Sequence, residues 1–334
     1  MHATIPFPNT ARRTSPLGVG LATLMREPSP AAQQRLLHAA YDAGFRHFDT
    51  APSYGLGAAE RVLGTFLRTR PEGVTVGTKF GIVARGNPGL MQLVQRPARA
   101  LLRRFPALRG RATKAVGAVV HTPTDYSPET RTRSLEGSLR ALGVDCLDLL
   151  LLHEARPEDV SDGSVVEWMQ AQKARGVVRN IGVATGVANA AGILAQHEGV
   201  FDVLQVPSDV LTPATAVLGA RPASLLVTHS VLAAPLARAS ARLRADAAWG
   251  RTLSERAGTD VGAPGALARL LLAAGLAENE SGVVLLGSSS AAHLRAAPAA
   301  VGAFPAARVA AAAAFLRDSL GGDAAGDAAG APAR

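Results

Sequence analysis

The chain has one cysteine, Cys146, in 334 residues, so no disulfide can form within it. A single thiol in an apolar run reads as a small core residue. No stretch of 18 apolar residues occurs, which excludes a membrane-spanning helix from the expectation. Residues 1–16 lack the apolar segment that a secretory signal needs. Together these absences predict a soluble, cytoplasmic protein with no membrane partner. His47-Phe48-Asp49 resembles half a metal site, but no second cluster with ligand spacing completes it, and no metal is expected. A serine-centred nucleophile elbow is also missing. Gly18-Val19-Gly20 and Gly55-Leu56-Gly57 are fragments of glycine-rich loops without the full dinucleotide fingerprint.

Acidic residues are absent from one long segment. The net charge is +9, and Arg85, Arg96, Arg99, Arg103, Arg104, Arg109, Arg111 and Lys114 lie in a stretch, 81–121, that holds no acid. Such a run invites a nucleic-acid reading. Aromatic residues are only 4% of the chain, and Phe105 alone lies between Arg85 and Lys114, so stacking platforms are scarce and no nucleic-acid partner is expected. Lysine occurs only at 79, 114 and 173; arginine and alanine are used heavily, as a GC-rich coding sequence would dictate. Two readings of the run stay open. It is a solvated loop filled by compositional bias, or it gathers an anionic substrate at the mouth of a site.

What is present is a regular alternation of strands and helices. Hydrophobic content of 48%, with 34 glycines and 21 prolines, suffices for a large core with many turns. Short strands are read at 17–21, 45–48, 74–80, 146–153, 178–183, 202–206, 225–229 and 283–286. Between them, helices are read from Ser29-Pro30, from Gly57, from Ser127-Pro128, over 160–175 and over 264–277. Eight strands alternating with helices predict parallel βαβ units closed into a (β/α)8 barrel. The expected organisation is a flexible arm (1–16), one barrel domain (17–320) carrying a basic insertion at about 82–125, and a disordered Gly/Ala/Asp-rich tail (321–334).

Three successive strand ends carry chemistry. Asp49 closes the strand before a Pro/Ser/Gly turn that presents Tyr54; Lys79 ends the next strand, and His153 the one after. Each has a plain structural alternative: a turn-capping Asp, a surface Tyr, an Asp–Lys ion pair, a core histidine. Taken together, "AGFRHFDTAPSYG", "VGTKFG", "SLRALGVDCLDLLLLH" and "VVLLGSSSAAHL" resemble the aldo-keto reductases over roughly residues 15–300. The resemblance implies a catalytic tetrad of Asp49, Tyr54, Lys79 and His153, and reduction of an aldehyde or ketone with a nicotinamide cofactor. Tyr54 would supply the proton, Lys79 would lower its pKa, Asp49 would hold Lys79, and His153 would orient the carbonyl.

It also implies cofactor contacts. Gln205 falls where the carboxamide binds, and His229 where an aromatic ring stacks. Ser230 and Leu232 fall near the pyrophosphate, Gly20 at the nicotinamide end, and Gly287, Ser288, Ser289 and His293 around the adenosine phosphate. The Ser-Asn pair the family carries after the fifth strand is replaced by Ala184-Thr185, leaving Thr185 as the candidate contact. Departures at 289, 293 and 297 put the 2′-phosphate in doubt; NADPH is expected, with NADH as the alternative, and Arg295 is close enough in sequence to substitute. Two rivals remain: a Schiff-base aldolase using Lys79, and a non-catalytic barrel of the same shape that senses cofactor or docks on a partner. Substrate identity and oligomeric state are not readable from the residues.

Overall fold

The computed structural model describes residues 4–69, 73–82, 124–219 and 224–321. The basic run and the C-terminal tail read from the sequence fall almost wholly outside these residues. Ten strands are described. β1 (Ile5–Pro6) and β2 (Arg13–Thr14) pair antiparallel as a small hairpin. Then follow β3 (Leu17–Gly20), β4 (His47–Asp49), β5 (Thr75–Phe80), β6 (Leu147–His153), β7 (Val178–Ala184), β8 (Val203–Pro207), β9 (Leu225–His229) and β10 (Val283–Leu286). These eight close into a parallel barrel in sequence order, β10 pairing with β3, and helices surround it. The expected (β/α)8 architecture is the one observed.

Strand alternation sorts the core. On β6, Leu149 and Leu151 join Phe7, Val203, Val227 and Leu285 inside the barrel, while Leu150 and Leu152 pack outward against the helices. His153 therefore shares the inward face. By the same count His47 and Asp49 face in on β4 with Phe48 between them facing out, and Lys79 faces in on β5. Outward-facing Thr78 instead donates to Glu60.

Local signals fix the helices. Ser29 accepts from the Ala32 amide at the start of Pro30–Asp42, and Ser127 accepts from Thr130 at the start of Pro128–Leu142. Helix Ala58–Leu67 packs closely on Pro128–Leu142 at Gly64, where a Cβ would meet the Ala141 carbonyl. Glu60, which reads from the sequence as a first-turn acid, is buried; Thr78 and Ser138 both donate to its Oε1 at 2.7 Å. It bolts this helix to a strand and to the neighbouring helix, and burial raises its pKa.

Two expectations need correction, and three helices went unread. The segment read as a loose arm is the β1–β2 hairpin, whose Phe7 is buried in the barrel interior 5.8 Å from the ring of His47. Asn9 donates to Asn180 and Asp202, and Arg12 pairs with Asp148. Apolar burial and these long-range contacts hold a segment too short to show any periodicity. The helix expected over 160–175 is a 3-10 turn, Pro157–Val160, then helix Ser164–Ala174, the break falling at Gly163 with φ 75°. Helices Ala233–Ala245, Ala247–Ala257 and Ala306–Leu320 were not read from the sequence. Their Ala/Arg-rich pattern is weak, and the last two bury their apolar faces in a second core with Trp249, Leu270 and Leu316.

Candidate active site

The strand ends converge on a cavity of about 340 Å³ at the C-terminal end of the barrel. It is lined by Gly20, Asp49, Tyr54, Lys79, His153, Gln205, His229, Ser230, Leu232 and Gly287, among others. Four residues singled out in the sequence do not line it. Thr185 is buried behind it, donating to the Ala155 carbonyl at 2.8 Å. Ser288 is engaged in a local turn with Ser290, and Ser289 and His293 are exposed. The helix following Ser290 is short, Ala291–Ala296.

Lys79 is the centre of the site. It is 1% exposed, and its Nζ donates to both oxygens of Asp49 at 2.6 Å and to the Thr50 carbonyl at 2.9 Å. The Tyr54 hydroxyl lies 3.4 Å from the same nitrogen. Burial opposes the charge of Lys79, but Asp49 and then Tyr54 outweigh it, and its pKa is raised. The pKa of Tyr54 is raised too. Burial is the largest cause; Lys79 acts in the lowering direction expected from the sequence but does not overcome it. In this structure Tyr54 is a phenol carrying its proton beside an ammonium.

His153 stacks edge-on to Tyr54 with ring centroids 6.0 Å apart. Burial, then Lys79 and His229, lower its pKa to about 3, so the imidazole is neutral at physiological pH. His229 is lowered for the same first reason; its Nδ1 lies 2.9 Å from Ser230 Oγ. Behind His153, Tyr126 donates its hydroxyl to the His153 carbonyl at 2.6 Å. The Tyr126 ring lies where a Cβ of Gly81 would be, at a φ of +117°.

Gln205 supplies the test of whether a nicotinamide fits. Its Oε1 is buried and has no hydrogen-bond partner, a state that costs roughly 1–3 kcal/mol. A carboxamide N–H would satisfy it, and the planar ring of His229 lines the same cavity. The residues present fit the group. Residues that the sequence reading missed are Tyr126 and Glu154. Tyr126 is 27 positions from the strand end it supports, and no local pattern marks it. Glu154 directly follows His153 and was visible as an acid at a strand end.

The fold and this convergence define a (β/α)8 barrel with its site built from strand ends. The sequence model of the Aldo/keto reductase family matches residues 16–216, and the chain belongs to that family, whose members use nicotinamide cofactors. It is 33% identical over 213 residues to a D-threo-aldose 1-dehydrogenase of Pseudomonas sp, covering 62% of this chain and 60% of that protein. To an NADH-specific methylglyoxal reductase of Escherichia coli K12 it is 28% identical over 175 residues, covering 52% and 46%. The chain thus spans three fifths or less of the length of these curated relatives.

Among solved structures, an aldo-keto reductase of Bacillus halodurans in its holo form superposes with a TM-score of 0.68 at 19% identity, covering 95% of this chain and 96% of that one. A glycerol dehydrogenase of Gluconobacter oxydans gives 0.67 at 17%, with coverage of 95% and 96%. These two likenesses establish the fold. Among the described residues no helix is long and apolar enough to cross a membrane.

Proposed function

We propose that the protein is an NAD(P)H-dependent oxidoreductase that interconverts a small aldehyde or ketone and its alcohol. The observation that carries the reading is the Lys79 ammonium, shared between the Asp49 carboxylate at 2.6 Å and the Tyr54 hydroxyl at 3.4 Å inside the cavity. A bound dihydronicotinamide supplies the hydride; every other requirement falls to side chains.

The Tyr54 phenol gives its proton to the substrate oxygen as negative charge grows there. The phenolate left behind is stabilised by Lys79, which Asp49 keeps charged and fixed. The neutral His153 imidazole donates one N–H to the carbonyl oxygen and fixes its direction. Gln205 would hold the carboxamide of the bound cofactor, and His229 would offer a flat face to its ring. The adenosine end would meet Gly287, which lines the cavity, while Ser288, Ser289 and His293 lie outside its lining and remain candidates from the resemblance alone. NADPH is the expected cofactor, chiefly because the family favours it, and NADH the alternative; Arg295 lies close enough in sequence to stand in for the basic residue the family carries where this chain has Ser289. Titration of both by quenching of the Trp168 and Trp249 emission decides between them.

The aldolase alternative needs a neutral lysine amine. The raised pKa and three oxygen acceptors of Lys79 favour the reductase reading over it. A non-catalytic sensor would not require a proton-bearing phenol beside an ammonium. The test is Tyr54→Phe, which removes the proton and little else. It is expected to lower kcat by about 10²-fold or more, with cofactor Kd unchanged within about twofold. Normal turnover by the Phe variant would overturn the assignment.

A further inference from the structure

The residue after His153 departs from the alternation of its strand. In extended backbone, residue 154 would face away from the barrel interior. Instead Glu154 has φ +59°, in the left-handed region, while its N–H still donates to Ala184 O at 2.7 Å. Both His153 and Glu154 consequently line the same cavity. A left-handed backbone at a non-glycine residue costs on the order of 1 kcal/mol. Glycine would make this turn with less strain, yet the position carries a carboxylate.

That carboxylate is not directly paired, although burial raises its pKa and the Lys79 ammonium acts on it at a distance. Of the other cavity residues, Asp49 and Lys79 neutralise each other, and burial keeps His153 and His229 uncharged. Glu154 makes no side-chain hydrogen bond or ion pair among the described residues, and it is exposed at the cavity rim. A negative charge there accepts hydrogen bonds from neutral donors and repels anions.

We propose that Glu154 is a specificity-determining residue whose carboxylate accepts hydrogen bonds from hydroxyl groups of a polyhydroxylated aldehyde or ketone, and which disfavours carbonyl compounds bearing an anionic group. This rests on the carbonyl-reductase reading for the reacting end and adds a subsite beyond it. It opposes the expectation that the basic run at 85–114 serves an anionic substrate.

The experiment compares the full-length wild type with Glu154→Gln and Glu154→Gly on glyceraldehyde, propanal and glyoxylate. The ratio of kcat/KM for glyceraldehyde to that for propanal is expected to fall about tenfold in Glu154→Gly and less in Glu154→Gln, which keeps an acceptor without its charge. The ratio for glyoxylate to propanal is expected to rise about tenfold in both. Ratios that stay within about twofold of wild type overturn the proposal. Glu154→Gly relieves the left-handed strain, so its Tm is expected to hold or rise. A lower Tm with all three substrates impaired equally would make Glu154 a structural residue and overturn the proposal as well.

Calorimetric titration with erythritol provides a readout independent of turnover. Its affinity is expected to fall at least about fivefold in Glu154→Gly, and equal affinity in the two proteins overturns the subsite. Should the wild type reduce no aldehyde yet bind erythritol through Glu154, the reductase reading fails and the subsite stands.

Discussion

Lys79 and Asp49 form a buried ion pair in which one ammonium donates to both carboxylate oxygens at 2.6 Å, with neither side chain more than 3% exposed. A pair taken out of water this completely is stabilising only while it is whole. Asp49→Asn leaves a buried ammonium with neutral acceptors alone, the amide oxygen, Thr50 O and Tyr54, and should destabilise the fold by roughly 3–5 kcal/mol. The double variant Asp49→Asn/Lys79→Met removes the stranded charge and should be more stable than Asp49→Asn. Urea denaturation of the single and double variants checks this; a double variant less stable than Asp49→Asn contradicts it.

Gln205 offers an opposed pair of effects. Its buried Oε1 has no partner, so Gln205→Leu should leave the cofactor-free protein as stable or more stable, by up to about 1 kcal/mol. If that oxygen receives the nicotinamide carboxamide, the same change should weaken NAD(P)H binding about tenfold. Thermal melts with and without cofactor read both quantities. Unchanged affinity would remove Gln205 from the cofactor site.

His47 should make the barrel acid-sensitive. Burial, opposed by Asp49 and assisted by Lys79, lowers its pKa from 6.5 to about 4. Between those values the unfolded chain binds the proton that the folded protein refuses. Stability is therefore complete above pH 6.5 and declines as the pH falls toward 4. The loss attributable to His47 is about 3 kcal/mol over that window. His47→Gln, which keeps a polar contact for Thr75, should flatten the slope of unfolding free energy against pH. His153 titrates in the same direction, so the slope shrinks without vanishing. An identical slope in the variant would refute the attribution.

Tyr126 acts on the site through a backbone. Its hydroxyl holds the His153 carbonyl at 2.6 Å while its ring covers Gly81. Tyr126→Phe keeps the ring and deletes that bond, which should cost about 1 kcal/mol of stability. It should also lower kcat several-fold, about threefold to tenfold, with little change in cofactor Kd. Loss of cofactor binding instead would place its influence elsewhere.

Asp49, Lys79 and His153 were legible in the sequence as strand-end residues and Tyr54 as a turn residue, while their joint role came from the resemblance to the aldo-keto reductases. A strand alternates its side chains with period two, so an acid, a lysine or a histidine at an inward position near a strand end can be placed without the rest of the molecule. Serine caps before Pro30 and Pro128 set helix starts by contacts three residues long. Tertiary structure alone decided the remainder. Closure of β10 on β3 brings strand ends separated by most of the chain around one cavity. The Phe7 hairpin is held by interior burial that only the closed barrel provides. Tyr126 reaches the His153 carbonyl across 27 residues, and the left-handed turn at Glu154 overrides the alternation that would have sent its carboxylate outward. Those relations lie between segments, or run against local preference, and the balance of contacts that fixes them exists only in the folded chain.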